Sequence, residues 1–296
     1  MARGLTAQLA KPDPSPNSNT LFGILLEPSQ LLKNPAFDGA KVLKKLVENY
    51  WFFTQDDIAT FAIPNTIFGM CCAYAGQPLV SVKLESIKIL LSRTPAVILF
   101  NCSNLLIFDL ANQRLWESVI EDKLNKPWRP IPSERMTRSE VRRALQLVIP
   151  IVLAINHYVL HTGAETACII LGTWVYNDLK ASDDSCITRN AIIALAFGVF
   201  NWSSLKVAIG GGGSSAAHIT SSGYAWIWLF SGVILTTMHV QDMKDQAGDR
   251  SRGRKTAPLV IGDWAARWSL AIPIFLWGPV CAASMVDNSC QGHSLV

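Results

Sequence analysis

The stretch Tyr224-Ala225-Trp226-Ile227-Trp228-Leu229-Phe230-Ser231-Gly232-Val233-Ile234-Leu235 is followed closely by Gln241-Asp242-Met243-Lys244-Asp245-Gln246-Ala247-Gly248-Asp249-Arg250-Ser251-Arg252. The first half carries no charge and the second is almost wholly polar. A helix that crosses a bilayer needs about twenty mostly apolar residues, and residues 223–243 supply them. The acidic run therefore begins where such a helix leaves the lipid. Asp242, Asp245 and Asp249 fall at i, i+3 and i+7, on one face of a continuing helix.

Working outward, six more apolar runs read as helices: 50–75, 88–112, 144–161, 164–177, 188–209 and 265–285. The first is entered through Tyr50-Trp51-Phe52-Phe53, an aromatic run suited to the membrane interface. Gly210-Gly211-Gly212-Gly213 breaks the chain between the fifth and sixth helices of the series. The fold class expected is an all-α polytopic transmembrane bundle, and loop charge supports it. Segments 111–143, 177–189 and 241–267 carry sixteen Lys and Arg, whereas the alternate loops carry only Lys83. This is the asymmetry that the positive-inside rule describes. It sets the N-terminus and the loops after the second, fourth and sixth helices in the cytosol. Arg93 and Lys206 are expected to snorkel from helix ends.

Half of the 296 residues are apolar and 16% are charged, against about a quarter charged in an ordinary soluble domain. A net charge of +4 is too small to suggest nucleic acid, and nothing points to a protein partner. The seven cysteines are scattered without metal-binding spacing and read as small buried hydrophobes. Residues 1–44 read as an N-terminal arm without a secretory signal, 45–285 as the catalytic domain in the lipid bilayer, and 286–296 as a polar tail.

A second constellation lies at the end of the 88–112 helix. It runs Asp109-Leu110-Ala111-Asn112-Gln113, then Glu117, Glu121-Asp122 and Asn125-Lys126-Pro127-Trp128-Arg129-Pro130-Ile131-Pro132. If the helix continues, Asp109, Asn112, Gln113 and Glu117 share a face. Acidic groups followed by basic ones thus occur twice, on the same side of the membrane. Mg²⁺ takes oxygen ligands and is usually held by a few carboxylates together with substrate phosphates. The expected metal ligands are Asp109, Asn112, Glu121, Asp122, Asp242, Asp245 and Asp249, with Gln113 in the catalytic set. Lys126, Arg129, Arg252 and Lys255 would bind a diphosphate. The apolar helices behind would hold a hydrocarbon chain, so the substrate class is a prenyl diphosphate. Loss of the diphosphate would leave an allylic cation, which needs a dry pocket with aromatic faces.

At these residues the sequence resembles the UbiA superfamily of intramembrane prenyltransferases. Asp242-Met243-Lys244-Asp245 through Arg254-Lys255-Thr256-Ala257-Pro258 is similar to its second motif. The first motif departs from the family pattern: Asp109-Leu110-Ala111-Asn112 begins it, Trp116 stands where its last Asp would fall, and Arg129-Pro130-Ile131-Pro132 closes it. That departure is similar to a fungal branch of membrane-bound sesquiterpene cyclases. The resemblance implies a Mg²⁺-dependent terpene cyclase acting on farnesyl diphosphate in the endoplasmic reticulum membrane. A prenyltransferase using an aromatic or other small acceptor is the alternative, and an inactive homologue a further one. The resemblance also implies nine membrane helices, of which seven can be found, the family's last two being absent.

Asn101, Asn104, Asn156 and Asn201 lie inside the helices and are expected to bond between them, as polar groups in lipid must. His157 is a candidate base. Trp116, Trp174, Tyr176, Phe200 and Trp202 are candidate pocket aromatics. Asp56 and Asp57 read either as site residues or as a solvated helix start. A transporter is disfavoured, because the acidic clusters lie at helix ends rather than at mid-membrane.

Overall fold

The computed structural model describes residues 39–81, 86–210 and 217–292, with side chains through residue 284. All seven expected helices are present. The order is α1 (Gly39–Ala75), α2 (Ile87–Gln113), α3 (Trp116–Asn125), α4 (Arg138–Tyr158), α5 (Gly163–Asn177), α6 (Cys186–Ala208), α7 (Ser221–Arg252) and α8 (Asp263–Gly292). Among the described residues the one β pairing is an isolated bridge between Val80 and Ile219.

Five helices, α1, α2, α6, α7 and α8, are long and apolar enough to cross a membrane. The other two of the expected seven fall short for separate reasons. α5 has 15 residues, about 22 Å at 1.5 Å per residue, below the ~30 Å of a hydrocarbon core. α4 is longer, but its first turns carry Arg138, Glu140, Arg142 and Arg143. The two pack on each other and on α2. α8 lies at the outside, with Trp264 75% and Phe275 86% exposed. Surfaces that apolar suit lipid rather than water.

Several boundaries differ from the sequence reading. α1 starts at Gly39, so the end of the expected 1–44 arm is helical, while residues 1–38 lie outside the described residues. The helix expected to end at 285 runs on to Gly292, into the expected polar tail. Gly210 ends a turn at φ +73°, and Gly211–Gly213 lie outside the described residues.

α2 and α6 form the centre of the bundle; both pack against α1 and α5 and against each other. Their seam is small and polar. The Asn101 amide donates to Ser204 Oγ at 2.9 Å and to Thr66 Oγ1 at 3.0 Å, tying α2 to α6 and α1. Asn156 donates to Thr166 Oγ1 at 2.8 Å, joining α4 to α5. Asn101 and Asn156 thus take the expected interhelical role, whereas Asn104 donates back to the Phe100 carbonyl of its own helix at 2.9 Å. Both cations expected near helix ends find partners there. Arg93 donates to the Ala208 carbonyl at 2.9 Å, satisfying the C-terminus of α6. Lys206 meets the buried Glu165 at 2.6 Å.

At the closest approach of α1 and α6, a Cβ on Gly69 would meet the Ser204 backbone carbon at 2.6 Å. Backbone at that distance has nowhere to move. Gly69→Val should therefore cost about 1–3 kcal/mol. Thermal unfolding of the detergent-solubilised variant should show a lowered midpoint, and an unchanged one would contradict this packing.

Candidate active site

The two acidic constellations meet at one end of the bundle. α2 ends at Gln113, and Leu115 turns extended (ψ 143°) before α3 begins. This break lays α3 against the last turns of α7. Gly248 permits the contact, because a Cβ there would collide with the Asn125 side chain. The Asn125 amide in turn donates to the Asp245 carbonyl at 3.2 Å. α7 passes through a 3₁₀ turn at Met238–Gln241 before its acidic half. It stops at Gly253, whose φ of +79° suits glycine and sends the chain back, with Arg254 N–H donating to the Asp249 carbonyl at 3.0 Å.

A cavity of about 450 Å³ opens between these elements. Its mouth carries Asp57, Asn112, Glu121, Lys126, Arg129, Arg189, Gln241, Asp245 and Arg254. Its body, between α1, α2, α5 and α6, is apolar and partly aromatic, with Phe61, Phe108, Tyr176 and Phe200. Phe61 lies in a π turn, Ile58–Ala62, that follows Asp57 directly. Such turns re-aim side chains and are frequent at functional sites. A separate groove of about 350 Å³ between α1, α2 and α4 carries none of the motif carboxylates.

Arginines organise the mouth. Arg129, 4% exposed, donates to both Asp122 oxygens at 3.1 and 3.2 Å and lies 3.4 and 3.5 Å from Asp57 and Asp56. Burial opposes its charge, but the surrounding carboxylates outweigh this and raise its pKa. Arg189 donates to the Tyr176 hydroxyl at 3.2 Å and pairs with Asp242. Arg254 donates to Glu121 at 2.9 Å and to Asp183 at 3.1 Å, and lies 3.5 Å from Asp249. Burial raises Asp122 above the usual carboxylate range, although Arg129 pulls the other way.

The expected site residues divide by position. Asn112, Glu121, Lys126, Arg129 and Asp245 face the cavity. Asp109, Asp122, Asp242 and Asp249 are buried at its edge. Asp109 and Asp242 each keep one carboxylate oxygen without a hydrogen-bond partner, and Asp249 keeps both. Gln113 does not line the cavity, and its amide donates to the Phe53 carbonyl at 2.8 Å and to Asp109 Oδ1 at 3.5 Å. Glu117 does not extend the α2 column, because the break at Leu115 moves it onto α3, where it meets Lys180 at 2.6 Å. Arg252 is held off the cavity by Ser118, Glu121 and Asp183, and Lys255 is exposed. Asp57 lines the cavity, and both Asp56 and Asp57 lie beside Arg129. His157 meets Tyr158 edge to face and does not line the cavity. Trp174 is half exposed, and Trp116 lies beneath Arg138. Arg189 and Asp183 carry no sequence signal beyond membership of a charged loop, and Arg254 none beyond its place in the second motif. Among the described residues no group of three or more His, Cys, Asp or Glu could hold a metal ion by itself.

The structure is a membrane-type helix bundle with a cavity whose mouth is charged and whose body is apolar. The chain belongs to the UbiA prenyltransferase family, which it matches over residues 62–289. It is 30% identical to the diterpene cyclase eriG of Hericium erinaceus over 231 residues, 77% of this chain and 69% of that one. It is 30% identical to the fumagillin β-trans-bergamotene synthase of Aspergillus fumigatus over 60% of this chain and 59% of that enzyme. Its fold is similar to that of a UbiA homologue from Archaeoglobus fulgidus bound to DMAPP and Mg²⁺. The TM-score is 0.57 with 14% identity, over 82% of each chain.

Asp183 gives a test of the ionic mouth. Burial would raise its pKa, but Arg252 and Arg254 prevail and hold it below the usual carboxylate range. A depressed native pKa stabilises the fold above the unfolded value and loses that contribution as pH falls through the native one. Asp183→Asn should therefore melt below wild type at pH 7. The gap should close as the pH drops below about 4. A gap that persists at low pH would contradict the ion pairing.

Proposed function

We propose that this protein is a Mg²⁺-dependent terpene cyclase that ionises a prenyl diphosphate at the cavity mouth and folds the resulting cation in the apolar body. Farnesyl diphosphate is the proposed substrate. The observation that carries the reading is one cavity whose charged groups gather at one end, while its remaining wall is apolar and aromatic. A diphosphate with a hydrocarbon tail has the same polarity.

The residues fit a divalent cation. Asn112 and Asp245 bring oxygen atoms to the cavity, Glu121 lines it while paired with Arg252 and Arg254, and Asp109, Asp242 and Asp249 each bury at least one oxygen without a hydrogen-bond partner. A buried acceptor without a partner costs about 1–3 kcal/mol, which a cation would relieve. Mg²⁺ bound there would neutralise the leaving diphosphate as a Lewis acid. This chain's own residues do the rest. Lys126, Arg129, Arg189 and Arg254 bind phosphate oxygens. Phe61, Phe108, Tyr176 and Phe200 turn π faces and apolar edges to the allylic cation. The surrounding aliphatic wall excludes water that would otherwise quench it. Cyclisation is the first reading because the body of the cavity is lined mainly by apolar and aromatic side chains, with no charged group among them. The sixteen-to-one loop charge supports a cytosolic mouth and N-terminus, with the endoplasmic reticulum as the proposed membrane.

Microsomes containing the protein, given Mg²⁺ and farnesyl diphosphate or geranylgeranyl diphosphate with no acceptor, should yield a cyclic hydrocarbon by gas chromatography–mass spectrometry. The double variant Asp242→Ala/Asp245→Ala should yield none while still inserting into the membrane. Turnover only when an aromatic acceptor is added would instead make it a prenyltransferase. Undiminished product from the double variant would remove these aspartates from the mechanism.

A further inference from the structure

A third hollow, of about 280 Å³, lies apart from the catalytic mouth and is lined by Arg114, Arg138, Ser139 and Arg142. It sits where α2 ends and the first turns of α4 begin, at the same end of the bundle as the acidic constellations. Local bonds fix two of the arginines in place. Arg138 Nε donates to the Arg114 carbonyl at 3.0 Å, and its guanidinium lies 5.4 Å from the centre of the Trp116 ring. Arg114 pairs with Asp178 at 2.5 Å, but its Nε is buried without an acceptor. Arg142 is exposed and makes no ion pair among the described residues. Three guanidinium groups thus face one carboxylate and one hydroxyl, an excess of two positive charges gathered in a concave site. None of the four lining residues borders the catalytic cavity.

We propose that this cleft binds the phosphate group of an anionic phospholipid. Basic pockets between membrane helices at the cytoplasmic surface take such headgroups, and guanidinium groups suit phosphate by their planar fork of donors. The position also suits it. The cleft lies at the cytoplasmic ends of membrane-embedded helices, where a headgroup stands, and its acyl chains would run along the apolar surface of α4, on which Leu147 and Ile151 are exposed. The cleft shares a seam with the active site. Arg114–Asp178 and Asn112–Asn177 (2.8 Å) both bridge α2 to the end of α5.

The test needs no turnover and so stands whether or not the protein is a cyclase. Full-length protein in detergent is titrated with phosphatidylglycerol or phosphatidylcholine, and bound lipid is counted by native mass spectrometry. One phosphatidylglycerol should be held at least about five-fold more tightly than phosphatidylcholine. Arg142→Gln, an exposed and unpaired position, should weaken that lipid alone. Arg138→Gln/Arg142→Gln should abolish the preference with helicity unchanged by circular dichroism. Equal retention of the two lipids, or a preference that survives in Arg142→Gln and in the double variant, would overturn the proposal. Displacement by inorganic phosphate at concentrations equal to the lipid would also overturn it, by assigning the cleft to a soluble anion.

Discussion

Carboxylates at the edge of a membrane must find cations, and that constraint arranges this protein. Asp57, Glu121, Asp122, Asp242 and Asp249 each lie within reach of an arginine. The arginines come from the α3–α4 loop, the start of α6 and the turn after α7, so the pairing draws those elements to one point. Pairing of this kind is not in itself a large source of stability. Desolvation of two buried charges offsets most of their attraction. What it fixes is geometry. Losing one partner leaves the other charge stranded, so the elements cannot slide past one another without cost.

The same logic of satisfied polar groups runs through the apolar part. Lipid gives helices no hydrophobic reason to associate, so small residues and interhelical bonds hold them. Gly69 lets α1 and α6 touch, and Asn101 bonds across three helices. These contacts keep α1, α2 and α6 rigid around the cavity's far wall. The mouth, by contrast, is assembled from helix ends and loops. A firm hydrocarbon pocket and a polar entrance therefore arise from different parts of the chain.

Much of this was legible in the sequence. Apolar runs located all seven helices, since length and hydropathy are properties of the chain itself. The acidic spacing at Asp242, Asp245 and Asp249 located the end of α7, and loop charge placed both constellations on one side. Side-chain direction was less legible. Asp109, Asn112, Gln113 and Glu117 make one column only if α2 continues, and the extended Leu115 ends it. Arg252 and Arg254 stand on either side of the left-handed Gly253 and pair with the same two carboxylates, Glu121 and Asp183, yet only Arg254 lines the cavity. Arg189 looked like one loop cation among sixteen. Its partners, Tyr176 and Asp242, are 13 and 53 residues away, a contact that no local pattern announces.

The central claim is that the charged mouth joins a divalent cation and a diphosphate into one bound unit. Calorimetric titration of the detergent-solubilised protein with a non-ionisable thio analogue of farnesyl diphosphate tests it directly. The analogue should bind in the presence of Mg²⁺, and its affinity should fall by about tenfold or more with chelator or in Asp245→Asn. Equal affinity with and without the metal, in wild type and variant alike, would contradict it.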